Sequence, residues 1–234
     1  APLKILCFDQ EVEEVYSGSI VGFGARDRDR ILGRRALGAT VSRIFFHESG
    51  NHLGVHGLPR GGVKGFGWQC LVARRLAERG VRFIELIDTG ASNNWDSHGD
   101  MAAHGPLAKN VDQPIAGLIR DLKQRGMLEN TLVVWTSEFG RTHWSQNTTG
   151  RDHNGKGYCT WLAGAGVRGG MVYGATDDVG YRAVENPVYI ADLQATILHL
   201  MGLDPYKLTF ANKGLQERLI GPTEEAKLHP GILA

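Results

Sequence analysis

Aspartate and histidine side chains cluster in two short stretches of this sequence. Asp96 and His98 are separated by one residue in WDSHGD, and Asp152 and His153 are adjacent in GRDH. Alternate residues of an extended backbone share a face, so Asp96 and His98 would point the same way and Asp152 and His153 to opposite sides. Carboxylates and imidazoles from separate loops are the usual ligands of divalent metals. The two clusters therefore predict a metal site, in which Asp152 and His153 either serve two neighbouring ions or divide between one ion and a substrate.

Two predicted strands would position these clusters. Residues 131–136, TLVVWT, form an apolar run typical of an interior strand buried on both faces of a parallel sheet, and Glu138 follows it. Residues 81–87, VRFIELI, predict a second strand that leads into the first cluster. Apolar spacing predicts a helix before each strand, over 69–79 and 106–125. This order indicates an α/β fold with parallel strands, whose carboxyl ends would bring both clusters and Glu138 to one edge of the sheet.

Each of these residues has a simpler explanation when it is taken alone. An aspartate after a strand is often a helix cap, and a loop histidine is often only hydrogen-bonded. Asp100 and His104 form a second candidate pair, although an acid at a helix start explains Asp100 equally well. Arg141 and Arg151 are candidate anion-binding residues because a guanidinium can bind two oxyanion oxygens at once. Their alternative role is ion pairing with the nearby acids. The grouping of both clusters with Glu138 at neighbouring strand ends nevertheless favours a metal site.

Composition restricts the classes of partner. The chain has 234 residues, 42 % hydrophobic and 22 % charged residues and a net charge of +1, which is typical of a globular protein and predicts no nucleic-acid partner. No apolar run reaches about 18 residues, so no membrane-spanning helix is predicted. The start, APLKILCFDQ, is too short and too acidic for a secretory signal. The localisation stays open, and a periplasmic or exported protein is compatible with a signal segment that was removed.

The amino-terminal residues 1–66 are hard to interpret and form a segment that we expect to belong to the same domain as residues 67–234. Residues 3–8 predict a short strand ending at Asp9, which is a candidate metal ligand or a turn residue. The three cysteines are widely spaced, so they predict neither a metal pair nor a disulfide framework. We expect each of them to be a small core residue. The three positions are Cys7, Cys70 and Cys159.

Six stretches carry a resemblance to a known family. In chain order they are WDSHGD, the helix end DLKQRGML, TLVVWTSEFGRT, GRDH, WLAGAGVRGGMVYGATD and ENPVYIADLQATILHLMGLD. They resemble the DUF1501 family, a bacterial sulfatase-like family of the alkaline phosphatase superfamily, from about Gly67 to about Leu208, roughly the carboxyl-terminal half of such a protein. The resemblance implies a three-layer α/β/α sandwich with a mostly parallel central sheet. It also implies a centre of one or two divalent ions (zinc, calcium, magnesium or manganese) that hydrolyses sulfate or phosphate esters.

The resemblance also implies a role for each clustered residue. Asp96 and His98 resemble the Asp/His ligands of one metal, and His153 resembles the late histidine that returns to the same ion. Glu138 stands where the strand-end aspartate of the second metal would be, and Asp152 stands as an extra ligand. The implied partner is a small anionic ester, with no nucleic acid and no membrane, and no oligomeric state is predicted.

Two departures from the family pattern leave a second hypothesis open. Phe139 stands where phosphatases have a histidine and sulfatases an asparagine, so one nitrogen ligand of the second metal is lost. No serine, threonine or cysteine nucleophile can be matched near the amino terminus, where Asp9 could stand in for the first metal-binding aspartate. Without a nucleophile there is no covalent catalysis. We therefore predict a metal-dependent hydrolase, with a degenerate or truncated non-catalytic module for binding or assembly as the alternative.

Overall fold

A computed structural model describes the backbone of residues 4–10 and 41–43 and all atoms of residues 65–88, 95–137, 139–222 and 226–234. Its helices and strands, in chain order, are β1 (Lys4–Gln10), β2 (Val41–Arg43), α1 (Phe66–Glu78), β3 (Phe83–Asp88), α2 (His104–Gln124), β4 (Thr131–Thr136), β5 (Gly140–Arg141), β6 (His153–Asn154), β7 (Trp161–Ala163), β8 (Ala175–Thr176), β9 (Ala183–Glu185), α3 (Ile190–Leu200), β10 (Phe210–Asn212) and β11 (Leu215–Glu217). Short 3-10 turns over Met101–Ala103 and Leu128–Asn130 precede α2 and β4.

The main sheet has the strand order β2-β3-β1-β4-β7. Its first four strands are parallel, and β7 joins the edge antiparallel to β4. The prediction that β3 and β4 are parallel is correct, but β1 lies between them, with Asp9 in register with Ile87 and Thr136. The amino-terminal segment thus contributes the middle strand of the sheet that carries the candidate site, while the predicted boundary at residues 66 and 67 stays a prediction.

Helices pack against both faces of the sheet, which explains why β4 is apolar without interruption. Val133 packs into a core cluster built mainly from α1 and α2. Leu132 and Val134 point to the other face and pack against residues that include Ile197 and Leu200 of α3. Burial of such a side chain stabilises the fold by roughly 1.5–3 kcal/mol. The protein is therefore a mixed α/β fold in which α1 and α2 cover one face of the sheet and α3 covers the other.

The predicted helices exist with slightly shifted ends. The helices expected over 69–79 and 106–125 span Phe66–Glu78 and His104–Gln124. Gly80 and Gly126 follow them with φ angles of 89° and 63°, a left-handed conformation that glycine adopts without steric cost. Both helices therefore end where the sequence predicts, and each delivers the chain to the start of a parallel strand.

Two expectations outside the candidate site are wrong. The short run MVYG at residues 171–174 predicts a strand, but the structure has none in that stretch, and the next paired strands are β8 and β9. Cys159 is exposed rather than a core residue, whereas Cys70 is buried as expected, and burial raises its pKa to about 12. Among the helices that the structure describes, none is long and apolar enough to cross a bilayer.

Candidate metal centre

Two loops meet at the carboxyl edge of the sheet and are held together by backbone contacts. The first follows β3, and the second is the β5–β6 hairpin, which follows β4 and has Arg141 opposite His153. The Arg151 amide donates to the Ser97 carbonyl at 3.4 Å. Gly150 packs so closely on the first loop that a Cβ at this position would collide with the His98 carbonyl. The absence of a side chain at residue 150 therefore allows the two predicted clusters to come together.

Three donor atoms from these loops converge at one point. The Nε2 atoms of His98 and His153 each lie 3.0 Å from Oδ1 of Asp96 and 3.1 Å from one another. In an octahedral or tetrahedral shell with bonds of about 2.0–2.1 Å, neighbouring donor atoms lie about 2.8–3.4 Å apart. The three residues form a group that could hold a metal ion. Their side chains are 34–43 % exposed, which leaves room for water or substrate beside them.

Gln146 orients one of the two imidazoles, and the sequence analysis did not identify it. Its Oε1 lies 2.5 Å from Nδ1 of His98. A carbonyl oxygen can only accept, so this contact favours a proton on Nδ1, and in the neutral ring Nε2 then keeps the lone pair that a metal needs. Partners of this kind are a regular feature of histidine–metal sites. Oδ1 of Asp152 lies 3.9 Å from the same Nδ1. Asp152 therefore does not belong to the group of three donor atoms. It lies beside Nδ1 of His98, the ring nitrogen on the side away from that group.

Arg141 and Phe139 complete the surroundings of the group. Nη2 of Arg141 donates to Oδ1 of Asp96 at 2.6 Å. Burial alone would raise the pKa of Asp96, but hydrogen bonds from His153 and Arg141, with the charges of Arg141 and His98, hold this pKa below its ordinary value. The Phe139 ring stacks on His153 with a centroid distance of 3.9 Å, and the Arg141 guanidinium lies 5.4 Å from the Phe139 ring centre. Phe139, expected to remove a ligand, thus helps to orient the His153 ring.

The other predicted residues have different positions. Glu138 lies outside the described residues. Arg151 donates from Nη1 to the carbonyls of Thr149 and Gly150, each at 2.9 Å, so this nitrogen helps to shape its own loop. Nη2 of Arg141 forms an ion pair with Asp96, which is the alternative role expected for this arginine.

The second candidate pair has structural roles. Oδ1 of Asp100 accepts from the Ala102 amide at 2.9 Å, which caps the turn before α2 as the simpler explanation predicted. Nε2 of His104 lies 2.8 Å from the carbonyl oxygen of Trp95, which positions the residue next to Asp96. Asp100 and His104 do not belong to the group of three donor residues found within the described ranges. They build the loop that holds the group.

A cleft of about 380 Å³ adjoins Asp96 and Arg141. Aromatic side chains form much of its wall, and Ser137 and Cys159 add a hydroxyl and a thiol. The aromatic residues that line it are Trp95, Trp135, Phe139 and Tyr158. Ser137 lies within the motif TLVVWTSEFGRT but not at the amino-terminal position where the family nucleophile is expected, and Cys159 belongs to no motif and comes back to the end of β4 only through the fold. The cleft could hold the organic part of a ligand whose charged part lies near Arg141.

Comparison with known proteins gives one match. The model of a family described as "Protein of unknown function (DUF1501)" matches residues 46–231. No curated protein and no solved structure matches the chain. The matched range includes both loops and all three donor residues, and it begins upstream of Gly67, where the motif resemblance begins.

Proposed function

The chain belongs to the DUF1501 family, and on this premise we propose that it is a metal-dependent hydrolase of sulfate or phosphate esters. The observation that carries the proposal is the convergence of Asp96, His98 and His153 within metal-binding distances. The group is partly exposed and lies next to a cationic side chain and a cleft. A site that served stability alone would not need this access to solvent.

The donor set favours a transition metal or zinc over a hard cation. Calcium and magnesium are held almost wholly by oxygen ligands, whereas two imidazoles with one carboxylate suit zinc, manganese or iron. Asp96, His98 and His153 would hold the ion, and Gln146 would keep Nε2 of His98 free for it. When bound, the ion supplies a Lewis acid for an ester oxygen and lowers the pKa of a bound water. Glu138 stays a proposed ligand of a second ion, and Asp152 stays a proposed extra ligand.

Arg141 would bind the anionic group of the substrate. A guanidinium carries five N–H donors, and the contact with Asp96 occupies Nη2. The side chain lines the cleft, so its remaining donors can bind nonbridging ester oxygens as charge develops on them. Arg151 is proposed as a second anion contact. The aromatic wall would hold the organic part of the ester and limit its access to water.

The fold supports the proposal by analogy. A largely parallel sheet with helices on both faces, and a site at the carboxyl ends of its strands, fits the three-layer α/β/α sandwich of the alkaline phosphatase superfamily. We propose this architecture for the chain. Fold likeness alone does not establish chemistry, so the function depends on the three donor atoms.

The second candidate is a non-catalytic binding or assembly module, motivated by the unmatched amino-terminal nucleophile and by Phe139. One experiment separates the two. Purified protein is assayed for bound metal by mass spectrometry and for hydrolysis of an aryl sulfate and an aryl phosphate, with and without chelator. We expect bound metal and chelator-sensitive hydrolysis of one ester. Bound metal without either activity would favour the module, and absence of metal would remove the hydrolase proposal.

A further inference from the structure

A group of aromatic residues, the platform of His143, Trp144 and Tyr181, lies on the protein surface. The ring centroids of Trp144 and Tyr181 are 5.4 Å apart and those of His143 and Trp144 are 4.7 Å apart. Trp144 is 49 % exposed. The ammonium of Lys156 lies 5.0 Å from the centre of the Tyr181 ring. The surface thus offers an accessible indole and an adjacent cation.

Two buried polar residues fix this platform to the hairpin that carries His153 of the metal group. Thr142 is 5 % exposed and donates from Oγ1 to the Trp144 carbonyl at 3.0 Å. Asn154 is 4 % exposed, donates to the Tyr181 carbonyl at 2.7 Å and accepts from the Lys156 amide at 3.1 Å. These two residues directly follow Arg141 and His153 in the chain. The contacts therefore fix the platform relative to the metal group.

The separation between the two regions is short. His153 and Lys156 are three positions apart, so their Cα atoms are at most about 11 Å apart. His143 is two positions from Arg141, which limits that Cα separation to about 7 Å. A ligand with more than one ring that binds at the metal group can therefore also contact the platform.

We propose that the platform binds a sugar ring of an anionic oligosaccharide, which is the substrate class of the neighbouring ester site. This inference rests on the proposed function. A pyranose has an apolar face, which can stack on the exposed indole, and hydroxyl edges that stay hydrated, so it suits a surface platform better than a wholly apolar group does. Lys156 supplies positive charge for a sulfate or phosphate substituent, and Arg182, whose side chain is 68 % exposed, adds to it, although its Nε lies 3.9 Å from the Asp177 carboxylate. Two exposed cations suit a substituted sugar better than a long polyanion, which needs a stripe of cations.

The test compares Trp144→Ala with two matched variants. Trp144→Phe keeps an aromatic face, and Trp161→Ala removes another exposed tryptophan, 40 % exposed, on the edge strand β7. Binding of sulfated, phosphorylated and neutral maltooligosaccharides is measured by calorimetry. Loss of one aromatic stacking contact should weaken binding of the charged sugars by about tenfold in Trp144→Ala, with partial recovery in Trp144→Phe and no change in Trp161→Ala. Equal affinities in wild type and Trp144→Ala would overturn the proposal.

Charge is tested separately, and so is the metal site. Lys156→Ala should weaken binding of the sulfated or phosphorylated sugar several-fold and leave binding of the neutral sugar unchanged. Tighter binding of one charged sugar by the wild type identifies the anion, whereas equal binding of the neutral sugar would overturn the assignment of an anionic ligand. The titrations are repeated in Asp96→Ala with chelator present. Sugar binding that survives there while hydrolysis is absent from every variant would remove the ester-hydrolase function and retain the platform.

Discussion

Two groups of histidine and aspartate in the described part of the chain differ in how the carboxylate is surrounded. One is the metal group of Asp96, His98 and His153. The other, which we call the C-terminal clasp, consists of Asp192, His229 and Tyr173. In both, an imidazole Nε2 lies 3.0 Å from a carboxylate oxygen. Asp192 is 3 % exposed, whereas the Asp96 side chain is 43 % exposed.

In the clasp, the carboxylate and both ring nitrogens of the histidine have hydrogen-bond partners within the protein. The Asp192 carboxylate accepts from the amides of Lys227 and Tyr189 and from His229, whose Nδ1 lies 3.2 Å from the Tyr173 hydroxyl. The clasp therefore fastens the end of the chain to α3. In the metal group the two Nε2 atoms face each other, and one proton at most can lie between them. The same residue types therefore stabilise a fold when every donor meets an acceptor, and suit a ligand when acceptors converge.

The largest effect, on the free energy of unfolding, should come from removing the carboxylate of the clasp. Asp192→Ala leaves His229 and two backbone amides without their acceptor in a buried position, so we expect the free energy of unfolding to fall by about 3–5 kcal/mol. Urea denaturation followed by circular dichroism measures this loss. Metal affinity, measured under conditions where the variant is folded, should be unchanged. Weakened metal binding together with unchanged stability would reverse the roles given to the two groups.

Removing the acid of the metal group should weaken metal binding strongly and change stability little. Asp96→Ala deletes one of three donors, and the affinity for Zn²⁺ or Mn²⁺ should fall by more than the 10–100-fold that is typical of residues around a ligand. The free energy of unfolding of the metal-free protein should fall by no more than about 1 kcal/mol, since the ion pair of Asp96 with Arg141 is partly exposed. Titration by calorimetry measures the affinity, and Asp178→Ala is the control at an exposed acid. Equal affinities in Asp96→Ala and Asp178→Ala would refute the ligand assignment.

The sequence predicted the metal group better than the clasp. Asp96 and His98 share a short motif, and the apolar runs of β3 and β4 indicated that the loop after β3 and the hairpin after β4 lie at one edge of the sheet. Asp192 lies in one of the family motifs, but His229 is 37 residues further along the chain and nothing in the sequence links the two, so only tertiary packing reveals their contact. Gln146 could not be predicted for the same reason. A glutamine in a polar loop has no spacing that marks it as the partner of a histidine 48 residues away.

The errors also have physical causes. β1 was expected as a strand, but its position between β3 and β4 depends on long-range pairing that hydrophobic periodicity does not encode. Cys159 was expected in the core because cysteine is usually buried, yet it lies just before the edge strand β7, where the chain meets the cleft. Glu138, an expected ligand, remains a prediction because it lies outside the described residues.

Changing the partner of His98 should have a smaller effect than removing a donor. Gln146→Leu removes the acceptor at Nδ1, so His98 loses its preference for the tautomer with a free Nε2, and metal affinity should fall by about 10–100-fold. Gln146→Glu keeps an oxygen acceptor and should recover most of the affinity. If Gln146→Leu bound Zn²⁺ as tightly as wild type, the contact would have no part in orienting the ring.

The smallest effect should be the acid sensitivity of the clasp. Burial would raise the pKa of Asp192, but hydrogen bonds from His229 and from the amides of Lys227 and Tyr189 hold this pKa below its ordinary value. The clasp therefore adds stability that is complete above the unfolded pKa of about 4 and disappears as pH falls through the lower folded pKa. Asp192→Asn cannot titrate, so its unfolding free energy should fall less steeply than that of wild type below about pH 4. Urea denaturation across this range measures the slopes, and parallel curves for the two proteins would show that the clasp does not contribute to acid unfolding.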